Sequence, residues 1–416
     1  MLKLPLYIAH RLSLRSNSRE SQTGVVIAVS GITLAVVVMI VSISVMCGFK
    51  NEIKAKITGF DSQIVVAPHS GQSDDAPPTL SVNELRHMLD SLPPGTRWSL
   101  TARQPAIVKT PENISGVILK GMEPDGEWDF VRRNLVDGAV PDFSADSTLY
   151  HVVVSHTLAS GLNLSVGQKA DVYFVGNGSY RIRRIMIAGI YDTHFAEYDK
   201  NVVFASLPML RGVADIASDQ GAMLEINGLG SDDEIDRQSV AISSMLMSGF
   251  YSGNTSRTYM VVNLHESAAL YFNWLALLDT NVVVILSLMA ILAGLTLVSS
   301  LFILVLRRVR TIGILKALGA SNQMVRQTFI LLTLRLLVAG LAIGNAVGLG
   351  LVYLQRLTRI VPLDPEAYYL DHVPVEISWP SVIMLNIVAA LIAFAVLLFP
   401  SAIIATIKPA RVINYE

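Results

Sequence analysis

Four runs of apolar residues decide what this chain can become. Gly24 to Gly48, Val282 to Leu306 and Val382 to Ile407 carry no charge, and Phe329 to Leu354 carries only Arg335, near one end. About 20 apolar residues, rising 1.5 Å each, cross the hydrocarbon core of a bilayer. Lipid offers no water to unpaired backbone groups, so each run must be helical. Pro400 is expected to kink the last run near its end. The apolar runs also explain why charged residues make up only 16% of the chain, where a soluble protein carries about a quarter. Between Phe49 and Phe272 the composition is that of an ordinary soluble domain. The expected fold class is therefore a membrane protein with four transmembrane α-helices and a large α+β extracytoplasmic domain.

Basic residues orient the spans. Lys3, Arg11, Arg15 and Arg19 precede the first run, and Arg307, Arg308, Arg310, Lys316 and Arg326 fill the short connector between the second and third, with no acid among them. Lys408 and Arg411 follow the fourth run, whereas the loop after the third mixes Arg356 and Arg359 with Asp364, Glu366, Asp371 and Glu376. The excess of basic residues on the cytoplasmic side places both termini and the 307–327 connector inside. The expected organisation is an amphipathic helix on the inner surface within 1–23, where Leu4, Ile8, Arg11 and Leu12 share a helical period, then a first span at 24–48 and an outer domain at 49–272. A second span with an outer stalk at 273–306, the connector at 307–327, a third span at 328–354, an outer loop at 355–380, a fourth span at 381–407 and a tail at 408–416 complete it. Such a chain is expected in an inner (cytoplasmic) membrane with its large domain outside.

The outer region reads as short strands at Ser62–Ala67, Ala106–Thr110, Gly116–Lys120, Val152–Val154, Ala170–Phe174, Arg181–Tyr191, Val202–Phe204 and Met223–Ile226, in at least two lobes. Helices are expected over Ser81–Ser91, Ser155–Ser160 and Ser231–Met247, with Ser81 and Ser231 as N-caps and Glu84 and Glu234 three residues on. Gly176–Asn177–Gly178 reads as a tight turn between strands, and Ser70–Pro78 as a polar loop. From about Glu266 to Arg308 only Gly294 interrupts the helical pattern. Those residues make roughly 65 Å of helix at 1.5 Å each, twice the bilayer core, so the excess forms a stalk. Gly340, Gly344 and Gly348 recur every four residues and give one smooth face for close helix packing.

Chemistry is harder to find. The sequence holds no phosphate loop, no H-E-x-x-H, no C-x-x-C and no G-x-S-x-G. Cys47 is the single cysteine and reads as a small apolar residue near a helix end. The scattered histidines suggest no metal site, since His151 and His156 lack a third ligand. No acidic residue lies inside a span, which argues against proton-coupled transport. A net charge of −1 argues against nucleic acid as a partner.

The connector reads RRVRTIGILKALGASNQMVRQTF. Ile312, Leu315 and Leu318 are expected on one stripe of a short helix, Gly319 ends it and Ser321 caps the next. This stretch resembles the hallmark of the FtsX-like ABC transporter permease family, with Thr311 standing where an acid is usual. Similarity to the LolC/LolE-type subunits of lipoprotein-releasing transporters lies in Ser44–Phe49, Glu197–Tyr198–Asp199, Tyr368–Val375 and Lys408–Pro409–Ala410. The resemblance implies a MacB-like periplasmic domain and a non-catalytic subunit that extracts lipoproteins from the outer leaflet for delivery to the outer membrane. In it, Arg310, Ile312, Leu315, Lys316, Leu318 and Gly319 couple to a separate cytoplasmic ATPase dimer, which binds ATP and Mg. Met46, Phe49, Ile53, Leu270, Trp274 and Leu275 are the expected lining of a substrate cavity. The implied partners are that ATPase, a second permease subunit of the same or homologous sequence, the lipoprotein and a periplasmic carrier. Val166–Gly167 is followed closely by the short Gly176–Ser179 turn instead of a long hooked hairpin, which leans toward the LolE-like role and away from direct hand-over to the carrier. The alternatives are an FtsX-like signalling subunit that drives a periplasmic cell-wall hydrolase, a MacB-type efflux partner and a membrane-anchored enzyme. The second would carry its own ATPase domain in the same chain, which is missing from this sequence, and the third is disfavoured by the lack of any catalytic constellation.

Overall fold

The computed structural model describes residues 19–69, 79–176, 179–307 and 309–403. The expected surface helix at 2–14, the loop 70–78, the tip of the Gly176–Ser179 turn and the tail 408–416 lie outside the described residues.

Chain order begins with α1 (Arg19–Phe60), β1 (Ile64–Pro68), β2 (Leu80–Ser81), α2 (Val82–Asp90), β3 (Arg97–Lys109), β4 (Ile114–Met122), α3 (Asp129–Arg133), β5 (Leu135–Gly138) and β6 (His151–Ser155). It continues through α4 (His156–Leu162), β7 (Lys169–Gly176), β8 (Ser179–Tyr191), α5 (Ala196–Asp199), β9 (Val202–Ser206), α6 (Leu207–Ala214), β10 (Gln220–Gly221), β11 (Met223–Asn227), α7 (Asp232–Tyr251) and β12 (Tyr259–Asn263). The helices α8 (Leu264–Ser267), α9 (Ala269–Arg307), α10 (Val309–Ala317), α11 (Asn322–Thr358), α12 (Pro365–Tyr368) and α13 (Trp379–Ile403) follow.

The chain divides into a helical unit, the described residues of Met1–Asn51, Trp274–Pro362 and His372–Glu416, and an α+β unit, Glu52–Asn273 with Leu363–Asp371. Among the described residues, three helices are long and apolar enough to cross a bilayer, within α1, α9 and α11. The expected fourth span falls on α13, whose described apolar stretch, Trp379–Ala395, is shorter.

Glycine decides the packing inside the helical unit. A Cβ at Gly340 would stand 2.7 Å from Ile32, one at Gly344 2.7 Å from Val36, and one at Gly348 3.2 Å from Ile40. Every fourth residue of α11 thus lies against every fourth residue of α1, and only the missing Cβ lets the backbones approach. Gly31 plays the same part toward Thr296 on α9, where a Cβ would meet Cγ2 at 2.6 Å. Asn345 on α11 and Asn386 on α13 exchange side-chain hydrogen bonds of 2.7 and 2.9 Å, and each also donates to a backbone carbonyl one turn back on its own helix. Paired amides satisfy each other where hydrocarbon cannot.

The α+β unit is built on one ten-stranded sheet in the order β12-β1-β11-β3-β4-β9-β6-β8-β5, with β7 pairing β3 and β8 off that path. The sequence pattern suggests at least two lobes, yet one large sheet runs through the unit, beside the two-stranded pair of β10 and β2. The reason is strand length. β3 and β8 have 13 residues each, so β3 pairs with β11, β4 and β7 along one strand. Ile64, Val66, Leu119, Val172, Ile185, Ile187, Val203 and Leu224 are buried in the core that this sheet shares with its helices. Ser231 accepts from the Glu234 amide, and Glu234 reaches back to the Gly230 amide, one residue earlier than a capping box would place it. Ser81 caps α2 by accepting from Asn83, and Glu84 is drawn off to accept from Ser256 and Tyr259 at 2.8 and 2.6 Å.

The glycine stripe gives a direct test. Gly344→Leu should lower the melting temperature in detergent by several degrees. Gly350→Ala, at a position with nothing within 4 Å, should leave it unchanged or raise it slightly, since alanine favours helix by about 1 kcal/mol. Equal behaviour of the two variants would show that the α1–α11 face does not set stability.

Candidate functional site

The last turn of an α-helix leaves carbonyls without partners and carries partial negative charge. At the end of α1 two cations supply both needs. Lys120 Nζ donates to the Phe60 carbonyl at 2.8 Å and Arg103 at 3.0 Å. Beyond it, Asp61 pairs with Arg103 at 2.5 Å and accepts from the Tyr198 hydroxyl at 2.6 Å. Glu225 completes the cluster, pairing with Lys120 at 2.9 Å and accepting from Ser62 at 2.7 Å.

Lys120 and Glu225 are 4% and 4% exposed, so their charges must be held by each other. Burial pushes the Glu225 carboxyl up, but Lys120 and Arg103 outweigh it and hold it below the usual carboxylate range. The Phe60 ring stacks on Tyr198 at 4.6 Å and meets Phe130 edge-on at 5.1 Å. Gly59 makes room for the Phe130 ring, since a Cβ there would run into it.

The Glu197–Tyr198–Asp199 motif is fully engaged at this joint. Glu197 accepts from Tyr271, in the first turn of α9. Tyr198 holds Asp61, and its phenol is raised well above its ordinary range by burial and by the Asp61 charge. Asp199 accepts from the Thr193 hydroxyl at 2.7 Å and from the amides of Thr193 and Phe195 at 3.2 Å. Burial raises its pKa, and the Thr193 hydrogen bonds oppose that rise.

Residues 363–371 join the same cluster. Lys56, one turn before Phe60, donates to the carbonyls of Thr193 and Tyr369 at 2.5 and 2.8 Å. The Tyr369 ring lies edge-on to Phe195 at 4.9 Å and to Tyr271 at 6.2 Å. Three segments far apart in sequence, the ends of α1 and α9 and the 363–371 loop, are therefore fastened to one sheet.

The connector residues separate in the structure. Ile312 is fully buried against Leu301 and Val325, whereas Leu318 is 81% exposed. At 3.6 residues per turn, positions 312 and 318 point about 120° apart, so the expected stripe does not hold together. α10 ends at Ala317, Gly319 takes φ +92°, and Ser321 caps α11 by accepting from Met324 at 3.2 Å. Lys316 is half-buried. The side chains of Arg310 and Leu315 lie outside the described residues. Ile314, which the sequence reading passes over, is 51% exposed.

Of the expected cavity residues in the helical unit, Phe49 and Leu275 are buried, Met46 and Trp274 half-buried, and Phe49 meets Trp274 edge-on at 5.6 Å. In the α+β unit Ile53 is buried and Leu270 is 73% exposed. Sequence reasoning missed what lies beside Phe49: Lys50 pairs with Asp279 at 2.9 Å, and Asn51 donates to Glu376 at 2.5 Å. A cation just after one apolar run and an acid just before the next was the available signal. Among the described residues no cluster of His, Cys, Asp and Glu could hold a metal ion.

An apolar helical unit, an α+β unit fastened to the ends of two long helices and a short helical connector agree with the permease class of membrane transport subunits. The MacB-like periplasmic core domain model matches residues 25–256 and the FtsX-like permease C-terminal model residues 283–409, and the chain belongs to this FtsX-like, MacB-like permease family. Curated relatives match nearly end to end. The lipoprotein-releasing system transmembrane protein LolC of Xylella fastidiosa (strain 9a5c) is 22% identical, over 94% of this chain and 93% of its own. LolC of Neisseria meningitidis serogroup B is 24% identical over 94% of each. The lipoprotein-releasing system transmembrane protein LolE of Haemophilus influenzae is 22% identical over 92% of each. The chain is thus similar to ABC transporter permease subunits over its length.

The buried pair makes two predictions. Glu225→Gln strands Lys120 without its counter-charge and should cost about 3–5 kcal/mol, while Lys120→Met with Glu225→Leu should recover most of that loss. A carboxyl lowered on folding stabilises the fold only while ionised. Its contribution is complete above the unfolded value near pH 4.3 and is lost as pH falls through the lower folded value. Acid unfolding of the wild type, followed by tyrosine and tryptophan fluorescence, should therefore be steeper below about pH 4 than that of the double variant. Identical acid limbs would exclude an ionised Glu225 as a source of stability.

Proposed function

We propose that this chain is the transmembrane subunit of an ABC transporter that lifts lipoproteins from the outer leaflet of the inner membrane, driven by a separate ATPase. The observation that carries the reading is the end-to-end match to subunits named for lipoprotein release, over 94% of this chain and 93% of the relative. ATP and Mg belong to the ATPase dimer in this scheme, and both termini and α10 face the cytoplasm, as the distribution of arginine and lysine supports. A second permease subunit completes the translocating pair.

In this scheme the ATPase grips α10. Ile312 anchors the helix to α9 and α11 through Leu301 and Val325, so motion imposed on the exposed Ile314 and Leu318 passes to both long helices. The joint at Phe60, Tyr271 and Tyr369 carries that motion into the sheet. Met46, Phe49, Ile53, Leu270, Trp274 and Leu275 remain the proposed neighbourhood of the substrate. The buried ones among them act as walls whose spacing changes, and Leu270 as a surface that touches. Strands β7 and β8 pair as far as Gly176 with Ser179, which leaves residues 177–178 between them. So short a hairpin supports a role in which the second subunit hands cargo to the periplasmic carrier.

Co-reconstitution of the chain with its ATPase and second subunit in proteoliposomes tests the reading. ATP should release a triacylated lipoprotein into solution, and Leu318→Asp should reduce that release at least tenfold, since burying a leucine at a docking surface is worth about 1.5–3 kcal/mol, with the folded yield unchanged. ATP-dependent activation of a cell-wall hydrolase without lipoprotein release would replace this function with signalling.

A further inference from the structure

The foot of the sheet holds a cleft of about 330 Å³ within the α+β unit. Phe60, Ile118, Val202 and Leu270 supply its apolar walls. Ligand sites of this size are lined mostly by apolar and aromatic groups, with a few polar groups that fix orientation. What distinguishes this cleft is that the polar side chains around it are already engaged with the protein. Lys120 is taken by Glu225 and the Phe60 carbonyl, and Arg103 by Asp61 and the same carbonyl. Tyr198 is held by Asp61, Tyr271 by Glu197, and Asn201 donates to the Glu197 carbonyl at 2.9 Å.

A ligand entering here meets ring faces and methyl groups, with Lys120 and Arg103 turned to Glu225 and Asp61, and the exposed Glu197 turned to the Tyr271 hydroxyl. A polar ligand would lose hydration without recovering hydrogen bonds, which is costly. An aliphatic chain loses nothing and gains burial. The volume is roughly twice the 150 Å³ of a cavity that holds benzene, enough for a segment of one hydrocarbon chain. The mouth agrees with this chemistry: Leu270 is 73% exposed and Ile118 40% exposed, two large apolar side chains left in water at the edge of an apolar hollow.

We infer that this cleft is a binding site for one acyl chain. The inference rests on the lipoprotein-release reading for where such a chain comes from, and it adds a holding site in the α+β unit, apart from the helical unit. Phe60 ends α1, and Leu270 and Tyr271 lie in the first turn of α9, so the walls belong to the two helices that contribute residues to both units. Displacement of either helix end changes the width of the cleft, which gives the ATPase stroke a way to grip or free the chain.

Photolabelling of the full chain in nanodiscs tests this without ATP or other subunits. One arm uses a synthetic triacylated lipopeptide with a diazirine in one acyl chain, and the other uses phosphatidylethanolamine with the same diazirine chain. Adducts mapped by mass spectrometry to residues near Ile118, Val202 or Leu270 support the site, and Leu270→Asp should cut them roughly tenfold, as loss of an apolar contact of leucine size requires. Leu270→Met, which keeps an apolar side chain, should retain the adducts and separates loss of contact from loss of fold. Labelling in the lipopeptide arm alone assigns the chain to the lipoprotein, and labelling in both arms assigns it to any acyl chain, bilayer lipid included. Adducts confined to the spans in both arms overturn the inference. Cleft labelling with no ATP-driven release would remove the function proposed above and leave this site standing, and release with an unlabelled cleft would do the reverse.

Discussion

The carbonyl of Phe60 is where the α+β unit takes hold of the first long helix. It receives Lys120 and Arg103 together, and those cations are held in turn by Glu225 and Asp61. Buried ion pairs are seldom a gain over apolar residues of the same size. Their worth here is geometric, because a charge cluster tolerates few alternative arrangements and fixes the rotation of α1 against the sheet. The aromatic socket around Phe60 adds area, and the Tyr271–Glu197 bond ties in α9. If the helix end slipped by one residue, several buried charges would lose their partners at once.

Inside the helical unit the logic is the reverse. Lipid tails are as apolar as leucine, so helices associate by close fit and by pairing the few polar groups they carry. The Gly340–Gly344–Gly348 stripe against Ile32, Val36 and Ile40 supplies the fit, and the Asn345–Asn386 exchange supplies the pairing. The two units are stabilised by different physics, and α1 takes part in both. It is gripped by glycines along one stretch and by charges at its end.

Periodicity and composition exposed the elements whose signal is local. Apolar runs marked the long helices, alternation marked most strands to within a few residues, and Ser81, Ser155, Ser206 and Ser231 all cap helices as their chemistry suggests. Of these, Ser206 starts a helix of only eight residues, too short for periodicity to mark, with Pro208 in the first turn where proline suits a helix start. Long-range pairing was not legible. Nothing in the sequence indicates that Lys120 faces Glu225 across the intervening strand β3, or that Tyr369 reaches Phe195. The Glu197–Tyr198–Asp199 motif drew attention by resemblance alone, and its physical role emerged only from its partners. The Ile312 and Leu318 stripe failed for a simple reason: three-residue spacing drifts around a helix, and two such steps turn one side chain into the core and the other into solvent.

The function proposed for this chain requires the α+β unit to move when an ATPase grips α10. Pulsed electron paramagnetic resonance reads that movement directly. With Cys47→Ser and a nitroxide at Glu112→Cys, a residue exposed on the α+β unit, and a second label on the outer domain of the partner permease, distances can be compared without nucleotide and with ATP trapped on a hydrolysis-deficient ATPase. The account predicts that the distance distribution shifts by several ångströms when ATP binds. A distribution that is the same in both states, in a complex that binds ATP normally, would contradict it.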